Sequence, residues 1–318
     1  MMTNSIHKRI DYFDLMKGVC IVLVIISHCC VELKVDLFGE KVGAMLENLR
    51  MPLYFFLSGM FFKEYSSFID FIVRKFNKLV IPMLFFCVLT VIPKLIIGDI
   101  QCESKPVFIH IVWMVKHGGY LWFLRTLFFA NIIYYIYNNI TKRCNIYIKI
   151  GVLLCLVVFV WAINSVVPVG NFREEYSYLI SVMSALIVLP FFYVAISLRQ
   201  YLSKAYISLK WILIIFSVSL VVCYLSSQGD VLLMNAVIEN SIVGFYMASF
   251  SAIACCLSVC VLIKKFPYLS YVGRYSIIAY LTHYPLISIV VYKFPHINIY
   301  YLIGVILLLM PLMIWIFK

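Results

Sequence analysis

The residues of this sequence that could do chemistry are ionisable side chains at the edge of long apolar runs or inside them. The first such run, DLMKGVCIVLVIISHCC at positions 14–30, begins with Asp14 and Lys17 and contains His28. In a helix with a rise of about 1.5 Å and a turn of about 100° per residue, Lys17 and His28 lie on one stripe, roughly 16 Å apart. Asp14 lies roughly 40° from the same stripe. The spacing therefore predicts a helix with a cation at its mouth and an imidazole well inside it.

An imidazole in that position can act as a general base. It can accept a proton from a hydroxyl as the oxygen attacks a thioester, and then return that proton to the departing thiolate. Lys17 suits the phosphates of a long anionic acyl donor, while Asp14 could orient Lys17 or cap the helix. Two other interpretations stay open on spacing alone: His28 as a packing residue bonded to a neighbouring helix, and a proton relay in a transporter.

The composition indicates that membrane helices position these residues. The chain has 318 residues, of which 64% are hydrophobic and 13% are charged, and its mean hydropathy is +1.02. An ordinary soluble domain is about half apolar and about a quarter charged. Apolar runs of roughly 20 residues, long enough to cross a bilayer, recur over the whole length. We therefore predict an all-α, polytopic membrane helix bundle, a single domain over residues 1–318 with no fused soluble domain.

The net charge of +12 and the eleven cysteines are compatible with this class. Lys and Arg are scattered in short loops between apolar runs, so they form no single basic face for a nucleic acid. Almost all cysteines lie in apolar runs and none has a C-x-x-C spacing, so we expect small buried side chains and no metal site.

Ten apolar windows predict about ten transmembrane helices. Their approximate limits are 18–35, 45–62, 79–97, 120–140, 146–166, 178–198, 211–227, 242–263, 273–293 and 299–317. With a cytoplasmic N-terminus, seventeen Lys and Arg residues fall on the cytoplasmic side and seven outside, which predicts that both termini are cytoplasmic. The amphipathic segment 106–117 is too short to span, and we expect it at the interface or in a re-entrant loop. Arg50, Arg125 and His283 fall inside predicted spans, where either arginine could also snorkel to the interface.

Four segments, in this order along the chain, resemble the acyltransferase 3 family of bacterial membrane proteins. RIDYFDLMKGVCIVLVIISH (9–28) is similar to the opening signature of that family, a basic residue and a His separated by ten residues. NLRMPLYFFLSGMFF (48–62) resembles its aromatic Ser-Gly segment, and GGYLWFLRTLFF (118–129) its Trp-Phe-Leu segment. LSYVGRYSIIAYLTHYPL (269–286) is similar to its late Gly-x-x-Ser...Tyr-Leu-x-His-x-Pro-Leu segment. One departure is Leu53, which stands where some members have Phe.

The resemblance implies a membrane enzyme that moves an acyl group, usually acetyl from acetyl-coenzyme A, to a sugar hydroxyl. The acceptor would be a bacterial surface polysaccharide such as an O-antigen, or its lipid-linked precursor, and the enzyme would lie in the cytoplasmic (inner) membrane. By the same resemblance, the catalytic residues would be His28 and Asp14, the donor-binding residues Lys17, Trp122 and Arg125, and the acceptor-binding residues Phe56, Ser58, Gly59 and His283. The alternative function is a transporter or flippase for a lipid-linked sugar or for the acyl group.

Overall fold

A backbone in hydrocarbon must satisfy its hydrogen bonds within the chain, which favours helices for the long apolar segments. The structure, a computed structural model, describes residues 10–65, 67–97, 112, 115–116, 119–166, 175–204, 208–229, 231–238 and 241–318. Its α-helices are α1 (Asp11–Leu33), α2 (Gly39–Met60), α3 (Phe68–Lys75), α4 (Ile81–Ile97), α5 (Trp122–Thr141), α6 (Ile146–Val166), α7 (Ser177–Lys204), α8 (Leu209–Ser226), α9 (Ile242–Ile263), α10 (Pro267–Arg274), α11 (Ser276–Lys293) and α12 (Ile299–Phe317). A π-helical segment, Phe76–Val80, joins α3 to α4. Two short antiparallel strands, β1 (Val231–Leu232) and β2 (Val237–Ile238), form a hairpin between α8 and α9.

The described helices confirm the all-α polytopic class. Six of them, α1, α6, α7, α8, α9 and α12, are long and apolar enough to cross a membrane, and the pair α10 and α11, bent by 93°, would make seven. The number ten, the cytoplasmic termini and the single domain over 1–318 stay predictions. The segment 106–117 lies outside the described residues apart from positions 112, 115 and 116.

The limits of several predicted spans agree with the structure, and the largest difference is at the start of the chain. The predicted spans 146–166, 242–263 and 299–317 coincide with α6, α9 and α12. By contrast, α1 begins at Asp11, whereas the first span was expected from residue 18. A hydropathy window ends at the last charge, but a helix continues wherever its backbone hydrogen bonds do. Asp14 and Lys17 therefore lie within the first turns of α1 and not in front of it.

Two glycines bring α10 into backbone contact with the first half of α1. A Cβ atom on Gly18 would lie 2.0 Å from the carbonyl oxygen of Leu269, and one on Gly273 would lie 1.8 Å from the carbonyl oxygen of Asp14. No side chain fits at either position, because real Cβ contacts are ordinary only from 3.4 Å. Small residues at helix interfaces allow this close approach in membrane proteins.

The contacts of α1 also show the direction of α11. Gly273, just before α11, lies against Asp14 near the start of α1, and His283 within α11 lies against His28 near the end of α1. The two helices therefore run in the same direction. Parallel spans must be separated by an odd number of crossings, but only four of the candidate spans above, α6 to α9, lie between them. If α6 to α9 all cross, an odd number of further crossings is needed between α1 and α11, and α2, α4 and α5 are the described helices available for it.

Candidate active site

Two histidines from distant parts of the sequence meet inside the bundle. The ring centroids of His28 on α1 and His283 on α11 are 5.1 Å apart, with an angle of 49° between the ring planes. His283 is fully buried, whereas His28 keeps part of its surface exposed. The structure therefore brings together the predicted base and one of the residues predicted for the acceptor.

His28 lies closer to the end of α1 than to its beginning. Leu33, where α1 ends, is five positions after His28, which corresponds to roughly 7 Å along the axis. Lys17 is roughly 16 Å away from it in the opposite direction, and Asp14 roughly 21 Å. Lys17 and Asp14 are thus placed together, but at a distance from the imidazoles. A single small substrate cannot contact both ends, whereas a long one can.

The imidazoles are bordered by two tyrosines and a carboxylate that the sequence did not single out as a site. The ring of Tyr284 is 5.4 Å from that of His28 and nearly perpendicular to it, and the ring of Tyr120 stacks on Tyr284 at 5.0 Å. The Tyr284 hydroxyl donates a hydrogen bond to Glu32 Oε2 at 3.3 Å. The sequence did contain a hint of both residues, since Glu32 is one helical turn after His28 and Tyr284 follows His283 directly. Only the fold shows that Glu32 and Tyr284 lie at the same site.

Arg50 on α2 places a positive charge within electrostatic reach of His28. Its Nη2 atom lies 3.1 Å from Glu47 Oε1, and its backbone carbonyl accepts a hydrogen bond from the Cys20 thiol at 2.7 Å. The other oxygen of Glu47 lies 3.4 Å from the backbone nitrogen of Val231 in β1. The ion pair lies within α2, whose Arg50 carbonyl bonds α1 and whose Glu47 carboxylate bonds the hairpin, so the Arg50 side chain has a partner inside the protein.

Aromatic rings connect the four family-like segments around this site. Phe123, next to Trp122 on α5, has its ring centroid 5.0 Å from that of Phe55 on α2 and 5.4 Å from that of Tyr280 on α11. Tyr280 is one turn before His283, and the two rings are 5.5 Å apart. The segments 48–62, 118–129 and 269–286 therefore converge on the His pair, to which α1 contributes His28.

The remaining residues predicted for the acceptor and donor lie at different depths around this core. Phe56 is buried, and Ser58 and Trp122 are half-buried. Gly59 faces α7, because a Cβ atom there would lie 2.8 Å from Phe192 Cα. The glycine does permit a close backbone approach, but the partner is a helix of the same bundle. The roles of these four residues in binding stay predictions.

Arg125 is buried in a network of hydrogen bonds within the protein. Its Nε donates to Ser181 Oγ at 2.7 Å, its Nη1 to the Lys116 carbonyl at 2.5 Å and its Nη2 to the Ser177 carbonyl at 3.1 Å. Its guanidinium also lies 4.9 Å from the ring centroid of Tyr178. Since all three nitrogens donate to protein groups, this arrangement holds α5 to the start of α7. To bind a donor phosphate, Arg125 would have to exchange some of these bonds.

A basic cluster, Lys17, Lys75 and Arg199, surrounds the loop that follows α2. Lys17 Nζ lies 3.8 Å from the ring centroid of Phe61, and Lys75 Nζ lies 5.7 Å from that of Phe62. Arg199 Nη1 donates to the Phe62 carbonyl at 3.1 Å. The sequence indicated only Lys17, because Lys75 and Arg199 come from α3 and α7, far along the chain. Three cations around one loop can bind a polyanion.

Burial lowers the pKa of the Lys75 ammonium to about 8, and the neighbouring charge of Lys78 acts in the same direction. Lys75 therefore changes its charge in the pH range in which an enzyme assay can be run.

No group of three or more His, Cys, Asp or Glu side chains that could hold a metal ion occurs among the described residues.

Comparison with known protein families shows to which family the chain belongs. The model of the acyltransferase 3 family, described as an acyltransferase domain, matches residues 10–318. The chain belongs to this family. It is therefore a membrane acyltransferase, and the transporter alternative is not what its family indicates. Neither the curated proteins nor the solved structures include a significant match.

Proposed function

We propose that this acyltransferase moves acetyl from acetyl-coenzyme A to a sugar hydroxyl of a bacterial surface polysaccharide or of its lipid-linked precursor, in the inner membrane, with His28 as general base. The observation that supports it most is the position of His28. Its partly exposed imidazole lies where the four family segments converge, at a distance from a basic cluster that suits a long, anionic donor.

The reaction needs only one base. As the acceptor oxygen attacks the thioester carbon, its proton passes to an unprotonated nitrogen of His28. The tetrahedral intermediate then collapses, the C–S bond breaks, and the proton passes from the imidazolium to the thiolate. The products are an ester and free coenzyme A, and His28 is regenerated.

The two ends of α1 suit the two substrates. The phosphates of the donor would bind the basic cluster, and its flexible arm would run along α1 for roughly 16 Å to bring the thioester to His28. The acceptor would approach from the other end of α1, where Glu32 can accept a hydrogen bond from a sugar hydroxyl and Tyr284 offers an aromatic wall. In the predicted topology the donor enters from the cytoplasm.

Donor-dependent release of free thiol tests this function. We expect the purified protein to release coenzyme A from acetyl-coenzyme A in detergent when a glycolipid extract from a polysaccharide-producing bacterium is added, and to release far less without the extract. A protein that binds acetyl-coenzyme A but releases no thiol with any such extract would contradict the proposal. Thiol release with a simple alcohol but with no glycan acceptor would support acyl transfer and contradict the proposal that the acceptor is a sugar hydroxyl.

A further inference from the structure

A hydrogen bond to the backbone holds the neutral ring of His283 in one tautomer. Its Nδ1 atom lies 2.6 Å from the Tyr280 carbonyl oxygen. Since a carbonyl oxygen can only accept, Nδ1 must carry the hydrogen, and in the neutral ring Nε2 is then a pure acceptor. That Nε2 atom is buried and has no hydrogen-bond partner among the described residues. Buried polar atoms are almost always paired, so an exception needs an explanation.

The hydroxyls of the tyrosines around His283 are already engaged. Tyr280 donates its hydroxyl hydrogen to the Tyr120 carbonyl, and the Tyr120 hydroxyl pairs with Thr90 Oγ1 at 2.5 Å. The Tyr284 hydroxyl donates to Glu32. Among the ring neighbours of His283, His28 is then the side chain with an N–H to offer. Ring centroids at 5.1 Å leave facing nitrogens within about 3 Å of each other when the rings turn toward one another.

We propose that His283 is a positioning residue for His28. Its Nε2 accepts a hydrogen bond from one ring N–H of His28, and the opposite nitrogen of His28 is thereby left unprotonated and directed to the acceptor hydroxyl. The proposal rests on the proposed function, in which His28 is the base. It differs from the sequence-based expectation that His283 binds the acceptor.

This arrangement gives the base a fixed tautomer, as an orienting third group does in other nucleophile and base pairs. The Tyr280 carbonyl holds His283, and His283 holds His28. During turnover only the free nitrogen of His28 gains and loses a proton, while His283 stays neutral throughout. Such bonds are often poorly aligned without substrate and tighten when it binds, which fits the tilt of 49° between the rings.

Two amide substitutions separate the two sides of the His283 ring. In His283→Asn the amide reaches the position of Nδ1 and can still donate to Tyr280, but nothing replaces Nε2. In His283→Gln the amide oxygen reaches the position of Nε2 and can accept from His28. Thr282→Val is the matched control, because Thr282 is a buried neighbour on α11 whose hydroxyl bonds the Ile278 carbonyl.

Steady-state kinetics with acetyl-coenzyme A and the glycolipid extract test the proposal. We expect the kcat of His283→Asn to be roughly 10²-fold lower than that of the parent, with the KM of both substrates unchanged. The kcat of His283→Gln should be at least tenfold higher than that of His283→Asn. The kcat of Thr282→Val should stay within about twofold of the parent. A rise in the acceptor KM with unchanged kcat would overturn the proposal in favour of acceptor binding. Full activity of His283→Asn would overturn it while leaving the proposed function intact, provided that His28→Ala is inactive. An active His28→Ala would overturn both.

Discussion

Replacing Gly273 by alanine would force a methyl group into the backbone of α1. The new Cβ atom would lie 1.8 Å from the Asp14 carbonyl oxygen and 2.5 Å from the Gly18 nitrogen, and both are backbone atoms that cannot rotate away. To restore an ordinary contact, α10 must move away from α1 by roughly 1.5 Å. Since α11 follows α10 directly, the same movement would draw His283 away from His28.

The size of the effect follows from this geometry. An extra methylene in a well-packed core costs about 1–3 kcal/mol, and a clash with two backbone atoms belongs at the upper end. We therefore expect Gly273→Ala to lower the free energy of unfolding by about 3 kcal/mol and the melting temperature by about 5 °C or more. A separation of the imidazoles by an ångström would also lower kcat by roughly 10²-fold.

Gly304→Ala is the matched control, because Gly304 lies inside α12 and a Cβ atom there would meet nothing within 4 Å. Alanine favours the helix over glycine by about 1 kcal/mol, so this variant should be as stable as the parent or slightly more stable. Thermal unfolding in detergent, followed by intrinsic fluorescence, compares the two. Equal melting temperatures for Gly273→Ala and Gly304→Ala would refute the backbone contact between α10 and α1.

Three further predictions concern charges. Lys17→Met should raise the KM for acetyl-coenzyme A about tenfold with little change in kcat, since one charge-assisted bond to a phosphate is lost; an unchanged KM would contradict donor binding at this end of α1. Because the pKa of Lys75 is lowered to about 8, its charge is lost as the pH rises through 8, so the donor KM should rise between pH 7 and pH 9, and Lys75→Met should abolish that component. Arg125→Met should lower the free energy of unfolding by about 3 kcal/mol, because it removes three buried hydrogen bonds. The control Arg74→Met removes an exposed ion pair within α3 and should change the free energy of unfolding by less than about 1 kcal/mol. Similar losses for the two variants would contradict the structural role of Arg125.

Features that depend on helical spacing could be predicted from the sequence. Lys17 and His28 lie on one helix, as expected, and α6, α9 and α12 have the expected limits. Periodicity and apolar length are local properties, so the chain itself reveals them. The family resemblance, carried by four short segments, was confirmed by the match over residues 10–318.

Features that depend on which helices become neighbours could not be predicted. The pairing of His28 with His283 requires the parallel packing of α1 and α11, in which Gly273 lies against the Asp14 backbone. Gly273 belongs to a family segment, but nothing in the sequence shows that its partner is the backbone of α1. The position of Arg125 illustrates the same limit, because a basic residue in a family segment suggests a phosphate, whereas its neighbours on α7 already occupy its nitrogens.

The role of His28 is tested most directly by following labelled acetyl from acetyl-coenzyme A into the glycolipid, with the parent, His28→Gln and His296→Gln in parallel. His296 is exposed in the loop after α11, so its variant controls for loss of an imidazole elsewhere. We predict that the parent and His296→Gln transfer the label at equal rates, while His28→Gln, folded and eluting as the parent does, transfers it at least 10²-fold more slowly. Equal transfer by all three proteins would contradict general-base catalysis by His28.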